Sequence, residues 1–152
     1  MQRTSWSVLV FVLSLLAPAL AQGKEPAVDT KTLRAEARAA VQSGDFATAI
    51  AGLRKLTELE PKDGQAWHML GYSLHSAGKL DEALPIHQKA TEFPAVAPVA
   101  AYNAACVYAL QGKADDAFLW LDKAIGFGFD QPEQLETTPT WTRCARTRAS
   151  PR

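Results

Sequence analysis

The sequence predicts an all-α fold made of three helix-turn-helix repeats, and three observations carry that prediction. Gly44, Gly78 and Gly112 recur every 34 residues, as do Ala49, Ala83 and Ala117. A fixed period of this length is the signature of a repeat architecture. Apolar or small residues recur around each Gly: Leu33, Trp67 and Ala101 eleven positions before it, Ala37, Gly71 and Ala105 seven before, Leu53, His87 and Leu121 nine after. Spacings of three, four and seven put such residues on one helical face, so each unit holds two amphipathic helices. The Gly lies between the two stripes, where a left-handed residue ends the first helix.

The elements follow in chain order. Residues 1–21 read as a signal peptide. MQRTSW carries one positive charge, SVLVFVLSLLAPAL is an apolar run too short to span a bilayer, and Ala19-Leu20-Ala21 supplies the small residues a signal peptidase requires. Cleavage after Ala21 predicts an exported protein, periplasmic or secreted. Residues 22–29 are a linker. The repeats follow at 30–63, 64–97 and 98–131. Small residues are expected to meet across each hairpin, as Ala37 with Ala49, Gly71 with Ala83, and Ala105 with Ala117. Asp45, Asp81 and Asp115 are placed to cap the second helices. Pro61 and Pro94 close the first two units, and Pro98 suits a first helical turn, as does Pro85.

Composition narrows the function. The chain has 152 residues, 47 % of them hydrophobic, enough for one modest domain. Its formal charge is zero, which leaves no footprint for nucleic acid. Residues 22–140 hold 11 basic and 16 acidic side chains, whereas the last 12 hold four Arg and no acid. Two cysteines, Cys106 and Cys144, make no disulfide framework.

The units resemble tetratricopeptide repeats. The second matches best, as W-x2-L-G-x2-L-x3-G-x4-A-x6-A; the first has Leu33 and the third Ala101 where the family has an aromatic. The third, AYNAACVYALQGKADDAFLWLDKAIGFGF, resembles the closing repeat of many bacterial proteins of this type, in which a short acidic segment follows. The resemblance implies a right-handed superhelix whose concave wall comes from the first helix of each unit. It places Arg34 and Arg38, His68 and Tyr72, and Tyr102 and Cys106 on that wall, bordered by His75 and Asn103. A wall basic at one end and aromatic toward the other suits a peptide with a carboxylate near an apolar or aromatic side chain. A subset of the family clamps a terminal carboxylate with Lys, Asn and Arg. The matching positions here hold Arg34, Arg38, Met69, Val99 and Asn103, so that clamp is not expected.

No catalytic constellation accompanies this surface, and no cofactor is expected. His68 and His75 stand two turns apart, roughly 10 Å by helix rise, too far for one zinc. His87 reads as a buried, hydrogen-bonded packing residue. Cys106 has no His three or four residues away and no CxxC partner. No Gly opens a helix as in a phosphate loop.

The closing segment begins DQPEQLET and then changes character, since TPTWTRCARTRASPR has no helical period and no acid. Codons permitted for Thr137 to Arg148 can be written so that another frame reads Asp-Pro-Asp-Leu-Asp-Ser-Leu-Arg. Two readings stand for 132–152: a partial cap followed by a frame slip, or a genuine basic tail. Either leaves an apolar edge expected near Phe118, Leu121, Phe127 and Phe129, partly covered by residues 131–136 and open to self-association. The function expected is a non-catalytic scaffold that binds a protein or peptide segment, with no nucleic acid and no membrane in the mature form. The alternative is a docking module, or a truncated piece, of a larger exported enzyme or assembly.

Overall fold

The computed structural model describes residues 29–130. The expected signal peptide, nearly all of the expected linker, the expected closing segment and tail, and Cys144 lie outside these residues. Six α-helices make up the described fold: α1 (Thr30–Ser43), α2 (Phe46–Leu59), α3 (Gly64–Ser76), α4 (Leu80–Ala90), α5 (Ala97–Leu110) and α6 (Ala114–Gly126). They pair as hairpins α1–α2, α3–α4 and α5–α6, and each hairpin packs on the next through α2 on α3 and α4 on α5.

The period-34 glycines end or follow the first helices as expected. Gly44, Gly78 and Gly112 have φ of 77°, 74° and 75°, a region that costs any residue with a Cβ. Capping of the second helices differs from expectation. Asp45 caps α2, its side chain accepting from the Thr48 amide, but α4 and α6 start after Lys79 and Lys113 with no side-chain cap. Asp45 follows its Gly directly, whereas Asp81 and Asp115 stand three positions after theirs and fall inside the first turn. There they favour the helix dipole without capping. The better caps serve the first helices: Asp29 accepts from the Lys31 amide, and Asp63, 34 residues on, accepts from Gln65 and Ala66. The same position in the third unit is Ala97, and Pro98 occupies the first turn of α5 instead. Pro85 lies in the sixth position of α4, within the helix, and not in its first turn.

The small residues that repeat with the Gly are buried. Ala37, Ala49, Ala83, Ala105 and Ala117 all lie in the core, and Gly71 is buried as well. Gly52 adds a close approach not anticipated: a Cβ there would sit 3.4 Å from the Ala37 Cβ. Leu53, Leu56, Leu70 and Leu74 fill the first two hairpins, and Val107 of α5 joins the same cluster. A second cluster, mostly alanine, fills α5–α6. Leu121 belongs to it, so Leu121 is core and not edge. Phe118 is half-buried, Phe129 stacks on Tyr102, and Phe127 remains exposed together with Leu119 and Ile125.

The curvature follows from the helix neighbours. First helices approach one another directly, α1 to α3 and α3 to α5; second helices make no such backbone approach. The layer formed by α1, α3 and α5 is therefore the inner side of the curve, and α2, α4 and α6 fan out behind it. No helix among the described residues is long and apolar enough to cross a membrane.

Candidate functional site

The inner layer carries all eight candidate wall residues, and their surroundings divide them. Arg34, His68 and Tyr102 occupy the same position in successive units. The Arg34 guanidinium pairs with Glu60, just after α2, and with Asp63, the cap of α3. Hydrogen bonding to Asp63 raises the Arg34 pKa further, so the charge is permanent and already matched. Tyr102 is 7 % exposed and stacks flat on Phe129, with ring centroids 4.5 Å apart. His68 is half-buried, and its Nδ1 is sealed from solvent with no hydrogen-bond partner among the described residues. Arg34 joins its unit to the next, Tyr102 packs within its own unit, and His68 is partly sealed. Cys106 is likewise buried.

The residues one turn further along are more open. Arg38 is exposed on α1. Together with Lys31, Arg34, Ala35, Ala39 and Gln42 it lines a shallow depression of about 270 Å³. Tyr72 on α3 is 45 % exposed and meets Phe46 edge-on at 6.4 Å, which fixes the ring while leaving one side to solvent. His75 and Asn103 are half-buried. The candidates thus form a strip along three helices, with no close cluster among Arg38, Tyr72 and Asn103.

The histidines depart from expectation. His87 is fully buried, as its spacing suggested, but neither ring nitrogen has a hydrogen-bond partner among the described residues. Its ring occupies the notch left by Gly71, where a Cβ would come within 2.6 Å of Nδ1. His75 meets it edge-on at 6.0 Å. Burial lowers the pKa of all three histidines. Among the described residues, no group of three or more His, Cys, Asp or Glu is placed to hold a metal ion.

A second surface was missed by sequence reasoning. On the outer side, the gap between α2 and α4 opens a depression of about 290 Å³ over α3, lined by Arg54, Thr57, Trp67, Leu70, Leu74 and Ile86 among others. An Arg54–Glu82 pair spans it. Trp67, Leu70 and Leu74 all read as core, and core they largely are. They line the depression because the second helices fan apart, a geometry that periodicity alone does not contain.

Comparisons with known proteins agree with this architecture. A family model described as Tetratricopeptide repeat (TPR_16) matches residues 34–98, from within α1 to the start of α5. Among solved structures, a chain of a CopN-Scc3 complex superposes with a TM-score of 0.63 at 23 % identity, covering 82 % of this chain and 72 % of that one. At that identity the likeness concerns the fold. No curated protein matches the chain in sequence.

Proposed function

We propose that the chain is a non-catalytic scaffold of three tetratricopeptide repeats that binds a protein or peptide segment along its inner face, in an exported compartment. The supporting observation is the approach of α1, α3 and α5 to one another while α2, α4 and α6 diverge, which makes the inner layer concave. A concave, preformed surface suits a guest segment, since little ordering is needed on the scaffold side. The match of a tetratricopeptide model to residues 34–98 and the fold shared with a chain from a protein complex support the same reading. Export rests on the N-terminal pattern of charge, apolar run and small residues.

Within the strip, Lys31, Arg38 and Gln42 would take an acidic group of the guest, and Tyr72 an apolar or aromatic one. Arg34 remains committed to Glu60 and Asp63 and supports the surface without contacting the guest. The alternative, a docking module of a larger exported assembly, uses the same face and differs only in whether the partner is permanent. A library of acidic-aromatic peptides, scored by fluorescence anisotropy with the full chain, tests the reading. Binding should fall at least tenfold with Arg38→Glu and with Tyr72→Ala, and weaken with salt as charge contacts do. Binding that ignores both variants but disappears with Ile86→Lys would move the site to the outer depression.

A further inference from the structure

We propose that His68, His75 and His87 form an acid-sensitive joint between α3 and α4, which holds the middle hairpin closed at neutral pH and loosens it on acidification. The geometry carries the argument. His87 is sealed in the core with both nitrogens unpartnered among the described residues, its ring held in the Gly71 notch and facing His75 at 6.0 Å. His68, two turns before His75 on the same helix, also hides an Nδ1 without a hydrogen-bond partner among the described residues.

The helices packed against α4 offer no anion to such a proton. Among the described helices, α3 and α5 pack their backbones on α4, and neither contains an Asp, Glu, Lys or Arg; α2 reaches α4 through Arg54, paired with Glu82, and α1 reaches the start of α3 through Arg34, paired with Glu60 and Asp63. The titratable groups of α3 are His68, His75 and the exposed Tyr72. Those of α5 are Tyr102, Cys106 and Tyr108. The charges of α4 itself are engaged away from the joint: Asp81 accepts from Gln111, Glu82 pairs with Lys79 and Arg54, and Lys89 pairs with Glu92. An imidazolium at His87 would be desolvated and repelled by any charge on His75 or His68, so the closed form disfavours it.

Burial, with smaller contributions from His75 and His68, lowers the pKa of His87 to about 3. The sign follows from linkage. A lowered folded pKa gives stability that is complete above the ordinary histidine value, about 6.5, and is lost as pH falls below it toward the folded value. The carboxylates that the fold holds below their ordinary values, Asp29, Asp45 and Glu82, cost stability only below the ordinary carboxylate range of about 4. The window from pH 6.5 to 5 therefore belongs to the histidines.

Urea unfolding of the full chain at several pH values between 7.5 and 5 tests the proposal. Below pH 6.5 the unfolding constant should rise about tenfold per pH unit for each proton taken up on opening, with at least one proton involved. His87→Phe should remove about one proton from that slope, and His75→Gln should also flatten it. If His87→Phe does not fold, NMR of the unsubstituted chain still decides: the His87 imidazole should stay neutral from pH 7 to 5 in the folded state. A flat unfolding constant, an unchanged slope in both variants, or a folded His87 that titrates near 6.5 would overturn the proposal.

Discussion

Two buried-face glycines show how one substitution can have opposite signs in the same fold. A methyl at Gly71 would fall 2.6 Å from His87 Nδ1 and 2.8 Å from Cε1, against a ring with no free space around it. Helix propensity favours Ala over Gly by about 1 kcal/mol, but overpacking a sealed site costs about 1–3 kcal/mol. Gly71→Ala should therefore destabilise the chain in urea titrations, by up to about 2 kcal/mol net of the propensity gain. Gly52 meets Ala37 only at ordinary contact distance, so propensity wins there. Gly52→Ala should be neutral or stabilising by up to about 1 kcal/mol. Arg34 teaches a related lesson at this scale. Its position suggested recognition, yet Asp63 lies 29 residues later and is reached only because the next unit folds back beside α1. The pairing partner was visible in the sequence, but the proximity was not.

Helix ends and interruptions decide the elements. Asp63 both caps α3 and receives Arg34, so Asp63→Ala removes a cap and an ion pair at once. A cap contributes about 1 kcal/mol and a partly exposed ion pair about 0–1 kcal/mol. A loss of about 1–2 kcal/mol in chemical denaturation is expected, with Asp63→Asn retaining most of the cap. Pro85 acts the other way. It sits on the exposed side within α4 and gives up one helical hydrogen bond. Ala would restore that bond, while the freer unfolded chain takes back about 0.4–1 kcal/mol of a preference near 3 kcal/mol. Pro85→Ala should raise the melting temperature; an unchanged or lower value would mean that α4 is already distorted around the ring. The capping pattern was partly legible. Aspartates near helix starts were visible, but the two-residue difference between Asp45 and Asp81 relative to their glycines decides which accepts an amide and which only faces the dipole.

At the scale of the whole molecule, each hairpin rests on its neighbours, and among the described residues the first and last hairpins each have one. Among the described helices α6 packs on α5 alone, through a core made largely of alanine, with Leu119, Ile125 and Phe127 exposed. Less apolar area is buried there than around the leucines of the first two hairpins, and stability in such arrays is a sum of local and neighbour terms. Hydrogen exchange should therefore open α6 before α3, whose amides should be protected longest. Equal protection of the two would mean that a surface not provided by these six helices covers α6.

The sequence by itself determined the hairpins: where the helices lie, which faces they bury and where the left-handed glycines turn the chain. These features follow from residue spacings and backbone sterics within some thirty residues, and such local preferences need no knowledge of the neighbours. Tertiary structure alone decided which polar residues of the inner helices remain available. Arg38 and Tyr72 stay open while Arg34, His68, Tyr102 and Cys106 are taken up by seams and core, because that outcome depends on the angle at which one unit meets the next. The packing of α4 on α3 within the middle hairpin placed His87 against His75, a juxtaposition that no spacing along the chain specifies.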